Sequence, residues 1–167
     1  MSEKKQRGAF GVNPLWAFLR DTYGMEEAFR FFGPYRGASI IPSIVDEHTM
    51  EVIMPLTTTN TNYVGTHFGG SLYSMCDPFY MFILMRNLGP EYIVWDKSAN
   101  IEFVKPGTGE VKAVFHIPAE EIETVREIVA RERKTTRFYE CEVKGESGEV
   151  VARIKKELYI RGPRPKK

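Results

Sequence analysis

Residues Gly69–Leu88 read GGSLYSMCDPFYMFILMRNL. Two glycines open the stretch, and Asn87 with the following Gly89-Pro90 closes it. The apolar run between them is too long for a strand and reads as a buried helix. Asp77 stands in its middle, followed by Pro78. A carboxylate in such a helix is costly unless it is paired or used. Apolar surroundings would also push its pKa up, toward the range a general base needs. The plainer alternative is that Asp77 tidies a kink at Pro78, which brings no N–H to the helix. Over Phe68–Met85 Asp77 is the one charge. A buried helix is still a better reading than a membrane span, because an aspartate at mid-membrane is expensive.

Working outward, residues 37–45 and 48–56 have strand character. Pro42 marks the first as an edge or a bulge, and His48, Met50, Val52, Met54 and Leu56 share one face of the second. A polar loop, Thr57–Thr66, leads into the helix. After it come strands at 92–104 and 110–117. In the former, Ile93, Trp95, Ala99, Ile101 and Phe103 fall on one face, with Asp96, Ser98, Asn100 and Glu102 on the other. Pro118 opens a short helix with Glu120, Glu121 and Glu123 early and Arg131, Arg133 and Lys134 late, the charge order its dipole favours. Strands at 135–144 and 149–160 follow, joined at Gly145–Gly148. Upstream, Asn13-Pro14 starts an apolar-faced helix that Gly24 weakens or splits and Gly33-Pro34 ends. This order gives an α+β domain, an antiparallel sheet wrapped around one long helix. The chain, 1–167, reads as one domain: a core over about 37–160, an N-terminal helical extension over about 13–33, and frayed tails at 1–9 and 161–167.

Composition narrows the function. Lys plus Arg (23) against Asp plus Glu (22) leaves a net charge of +1, too little basic field to hold nucleic acid. The 43% apolar and 27% charged residues exclude a disordered or collagenous chain. Cys76 and Cys141 form neither a CxxC site nor a disulfide framework, and no signal-like apolar run follows the N-terminus. Those features fit a reduced, cytoplasmic protein that does not enter a membrane. His48, His67 and His116 share no ligand spacing, so no metal is expected. Of 21 aromatics, eight fall within Phe10–Tyr35 and six within Tyr63–Phe82.

The candidate chemistry gathers around the long helix. Free N–H groups at Gly69-Gly70 could stabilise an oxyanion, with glycine allowing close approach. Asn62 and His67, in the loop just before, can hydrogen-bond a carbonyl or a water.

The run Asn62-Tyr-Val-Gly-Thr-His-Phe-Gly-Gly-Ser-Leu-Tyr-Ser-Met-Cys-Asp77 resembles the core signature of hotdog-fold acyl-CoA thioesterases. The likeness is to the PaaI and thioesterase-superfamily type, and more broadly to a YiiD-like branch described only as a hotdog domain of unknown function. Asn62, the Gly65-Thr66 pair, Gly69-Gly70 and Asp77 match that signature by position. In the family a histidine directly precedes the Gly-Gly pair. Here Phe68 holds that place and His67 stands one earlier.

The resemblance implies that Gly69 or Gly70 polarises a thioester carbonyl, that Asn62 and His67 assist, and that Asp77 acts as general base or nucleophile from across a dimer interface. It further implies that Phe68, Tyr73, Phe79 and Tyr80 line the acyl chain, and that coenzyme A enters as part of the substrate with no separate cofactor. A homodimer or homotetramer is expected. Arg131, Arg133, Lys134 and Arg137 are candidates for the coenzyme A phosphates. Two other activities fit the same scaffold: acyl-CoA or lipid binding without turnover, and hydration or dehydration of an enoyl thioester.

Overall fold

The computed structural model describes residues 12–163. Both expected tails lie outside these residues, except for Arg161–Pro163. Three short helices come first: α1 (Pro14–Tyr23), α2 (Met25–Phe31) and α3 (Gly33–Ala38). They are followed by β1 (Ile41–Ile44), β2 (Thr49–Met54), α4 (Gly69–Ser74), α5 (Phe79–Leu88), β3 (Ile93–Phe103), β4 (Val111–His116), α6 (Ala119–Glu132), β5 (Lys134–Gly145) and β6 (Val150–Arg161). The strands form one antiparallel sheet in the order β1-β2-β4-β5-β6-β3. Its inner face wraps α4 and α5, as expected.

Local chemistry sets the boundaries. Asn13 Oδ1 accepts from Leu15 N at 2.9 Å and Pro14 opens α1. Gly24, at φ 86°, takes a conformation that suits glycine and divides α1 from α2. Gly33-Pro34 ends α2 but also starts α3, because proline fits the first turn of a helix, where its missing N–H is not needed. That third helix takes up residues 37 and 38, so β1 begins later than its composition suggests.

The expected long helix is broken in the middle. Residues Met75–Pro78 form a turn between α4 and α5. Pro78 has no N–H and pushes the residue before it away from helical geometry. Asp77 therefore sits at a break, where its N–H reaches Ser74 O at a long 3.4 Å.

The core lies between α5 and the sheet. Phe79 and Phe115 are both fully buried, with ring centroids 5.0 Å apart. Phe29 of α2 packs edge-on against Phe79 and Phe82, which docks the N-terminal helices on the core. Two polar ties reinforce this docking. Glu26 Oε1 accepts from Ile44 N at 2.6 Å. Buried Asn60 donates to Ala38 O and Pro55 O and accepts from Thr57 N.

The strand β3 departs from simple alternation beside the helix break. β3 pairs with β6 through a β-bulge between Asp96 and Ser98. A bulge inserts one extra residue and flips the parity beyond it. Asp96 opposes buried Leu158, whereas Ala99 and Ile101 oppose buried Lys156 and Ile154. Asp96 thus faces inward with Ala99, Ile101 and Phe103. The expected grouping of Asp96 with Ser98, Asn100 and Glu102 is corrected, and Trp95 points outward at 55% exposure.

Phe79 and Tyr80 are core residues rather than lining. Phe79 is wholly buried among Phe29, Tyr35 and Phe115. Tyr80 is buried against Phe115 and Tyr139 and donates its hydroxyl hydrogen to Glu140 O. Burial pushes the Tyr80 phenol well above its ordinary pKa. Phe79→Ala should cost about 3–5 kcal/mol of unfolding free energy in a urea titration, the range for truncating a buried phenylalanine.

Candidate active site

Asp77 lies at the helix break with its side chain 48% exposed. It is not in the apolar surroundings its sequence context suggests. Its Oδ1 accepts from Lys156 Nζ at 2.7 Å and from the Tyr73 hydroxyl at 2.8 Å. Lys156 Nζ also lies 3.2 Å from the Tyr73 oxygen, 5.2 Å from the Tyr73 ring centroid and 3.3 Å from Asp96 Oδ1. The Asp96 contact is an ion pair without an aligned hydrogen bond, and that oxygen is buried with no other partner. Asp77 Oδ2 accepts no hydrogen bond among the described residues.

Lys156 is fully buried. Burial works against its ammonium, but the hydrogen bond it donates to Asp77 and the charges of Asp96 and Asp77 outweigh it, so its pKa stands above the ordinary value. Burial raises the Asp96 carboxyl, helped by the like charge of Asp77 and opposed by Lys156. Burial and the bond to Asp77 likewise raise the Tyr73 phenol.

Asp77 and Tyr73 form one wall of a cleft of about 350 Å³. The rest is mostly aromatic: Trp16, Phe29, Phe32, Tyr35 and Phe82, with Pro34 and Pro78. The N-terminal helices and their junction supply four of those rings, Trp16, Phe29, Phe32 and Tyr35. A second recess, of about 380 Å³, lies at the head of α4 between Asn62, Thr66, His67, Gly69 and the 103–107 segment. A larger concavity than either, about 890 Å³, is on the outer sheet face. Its charges pair with one another, as in Lys155–Glu140 and Arg153–Glu142, and it holds no reactive arrangement.

The chain therefore brings the sequence-selected residues together in two groups. Asn62, His67 and Gly69 share the second recess, while Asp77 and Tyr73 share the first. Phe68 is 56% exposed at the start of α4, beside Gly70. The N–H groups of Gly69 and Gly70 donate to no partner among the described residues. Both glycines also serve packing: a Cβ on Gly69 would meet the Phe103 ring at 2.9 Å, and one on Gly70 would collide with the Phe68 ring.

Asn62 is fully used within its own loop. Its amide donates to Thr66 Oγ1 and His67 O, and its oxygen accepts from Val64 N and Thr66 N. It shapes the approach to α4 and has no donor to spare for a carbonyl. His67 is 3% exposed. Its N–H donates to Gly107 O and its Nε2 bonds Gly109 O at 2.8 Å, clamping the loop to the turn after β3. The position of Phe68 relative to the glycines explains this: one residue earlier, the imidazole points into that turn.

Of the proposed phosphate contacts, Arg137 is held in a two-pronged pair by Glu121, and Arg131 pairs with Glu132. Among the described residues no cluster of three or more His, Cys, Asp or Glu could hold a metal, and no helix is long and apolar enough to cross a membrane.

Lys156 and Asp96 escaped the sequence reading. The signal for Lys156 was present: it interrupts the row Ala152, Ile154, Leu158, Ile160. A lysine in such a row calls for a buried carboxylate. The bulge hid Asp96.

A family model matches residues 24–160. The chain belongs to the DUF4442 family, a domain of unknown function. No curated protein matches the sequence. Among solved structures, the DUF4442 chain is similar to a Pseudomonas aeruginosa protein of unknown function described as a probable thioesterase. That match has a TM-score of 0.75 and 16% identity, over 82% of this chain and 93% of the other. A Chlorobaculum tepidum protein of unknown function gives 0.67 and 18%, over 89% and 92%. A thioesterase from Haemophilus influenzae gives 0.60 and 12%, over 80% and 85%. At these identities the likeness establishes the fold: this DUF4442 domain is a hotdog.

Burial lowers the His67 pKa, and the bond to Gly109 only partly opposes this. A depressed imidazole contributes stability that is present above its unfolded pKa, about 6.5. That stability is lost as the pH falls from there through the folded value. Urea titrations at about pH 7.5 and about pH 5 should show a loss on acidification in the wild type. The loss should be smaller in His67→Gln, whose amide can still donate to Gly109.

Proposed function

We propose that this DUF4442 protein hydrolyses an acyl thioester of the acyl-CoA type. The observation that carries this reading is Asp77 itself. It is a carboxylate with one oxygen fixed by two donors and the other uncommitted, on the wall of an aromatic cleft. Asp77 Oδ2 takes a proton from water, and the resulting hydroxide attacks the thioester carbonyl carbon. Alternatively Oδ2 attacks directly, giving an anhydride that water then opens. The carbonyl oxygen becomes an oxyanion held by the Gly69 and Gly70 N–H groups. The C–S bond breaks, the thiolate recovers the proton, and a carboxylic acid and a free thiol leave.

Two copies of the chain complete the site. The separation of the glycine recess from the Asp77 cleft within one chain supports this arrangement. So do exposed Tyr63, Val64, Phe68 and Phe103 near the glycines and the unpartnered outer edge of β3. Asn62 and His67 act by holding the loop that presents α4. Tyr73 contacts the substrate from the cleft, and Phe68 from beside the glycines. The thioesterase names of low-identity structural neighbours agree with this activity, and a PaaI- or YiiD-like branch fits the Asn62–Asp77 run.

A second reading is acyl-thioester binding without turnover. The ion pair of Asp77 with Lys156 favours it, because such a pair can also serve only to neutralise a buried lysine. Thiol release from a panel of acyl-CoA substrates separates the two. Asp77→Asn should lower kcat by about 10²–10⁴-fold, the usual worth of a general base, while the fold survives. Saturable binding with no thiol release would establish the second reading. Light scattering should give a dimer or tetramer; a monomer would remove the two-chain site.

A further inference from the structure

Lys156 stands in the inner row of β6, between Ile154 and Leu158, which are 1% and 0% exposed. Its stem is core, and its tip reaches the helix break. A hydrophobic residue of similar volume would fill that row without the penalty of burying an ammonium. The stem therefore does not explain the residue, and the partners of the tip do.

Those partners are unequal. Tyr73 and Asp77 lie four residues apart on the same segment, so the Tyr73 bond moves with the break. Asp96 belongs to β3 and holds the ammonium from the sheet side at 3.3 Å. Lys156 is the one described group that links the Asp77 carboxylate to the sheet, by the 2.7 Å bond to Oδ1. Asp77 is otherwise held loosely: it lies at a turn, its backbone N–H makes a 3.4 Å contact, and its side chain is half exposed. A carboxylate free to turn about its last torsion exchanges its two oxygens.

We propose that Lys156 is the positioning residue of this site. It fixes Oδ1 so that Oδ2 alone is presented to the cleft, and Asp96 holds the ammonium in place for that task. This rests on the thioesterase reading. It adds to that reading a lysine that touches no substrate and acts only through Asp77.

The test is a double-mutant cycle on thioester hydrolysis, with kcat and KM measured for wild type, Asp77→Asn, Lys156→Met and the double variant. Lys156→Met should lower kcat about 10²-fold, the scale of a misplaced catalytic group, with KM within about twofold of wild type. In the Asp77→Asn background the same change should cost nothing further. Equal losses in both backgrounds, or a raised KM with kcat intact, would assign Lys156 to the fold and overturn its positioning role while leaving Asp77 as the base. Full kcat in Asp77→Asn, or no thiol release from wild type, would overturn the thioesterase reading and this role with it. If Lys156→Met fails to fold, the cycle runs with Asp96→Asn/Lys156→Met, which leaves no buried carboxylate without its cation. The same non-additivity with Asp77→Asn is expected there.

Discussion

A buried ammonium must be surrounded by acceptors, and that requirement organises the centre of this molecule. Lys156 is fully buried in the sheet, so two carboxylates and a phenol must converge on it, from β3 and from α4 with the turn that follows it. Asp96 can do so only because β3 is bulged at that point. Asp77 can do so only because Pro78 breaks the central helix and lets its side chain turn toward β6. Irregularities in a strand and in a helix, unrelated in sequence, thus serve one electrostatic constraint. The cluster carries two acidic groups and one basic group, so acceptor oxygens remain over, Asp77 Oδ2 among them, and Asp77 lines the cleft.

The N-terminal helices are the second determinant. α1 buries none of its residues, yet Trp16 packs on Phe29 and Phe32 and closes one side of the Asp77 cleft. Phe29, almost wholly buried, connects this layer to Phe79 and Phe82 of α5. The cleft is therefore a joint product of the extension and the hotdog core, and it would not exist on the core alone.

Much of the fold was legible because its signals were local. The apolar run from Gly69, the alternation of Met50, Val52 and Met54, the charge order along α6 and the Gly145–Gly148 turn each report a backbone preference directly. Local signals misled where tertiary context decided. Gly33-Pro34 looks like a stop and is also a start. Phe79 and Tyr80 follow Asp77 closely and look like pocket lining, but the turn at Met75–Pro78 rotates α5 so that both face the sheet. The site was half legible. Asp77 stood out as a lone charge, while the parity of Lys156 was readable only with a partner in mind. Asp96 was hidden because a bulge has no reliable mark in sequence. The roles of Asn62 and His67 depended on which hydrogen bonds their loop had already taken.

The same bulge bears on how the sheet ends. β3 is an edge strand of eleven residues, long enough to invite pairing with any extended chain. Its register is interrupted between Asp96 and Ser98, and the parity of the residues along the edge changes there. A flat incoming strand can match one half or the other but not both. The edge is thereby poor at promiscuous association, the first step toward aggregation. It is better suited to a partner carrying the same irregularity in the complementary place.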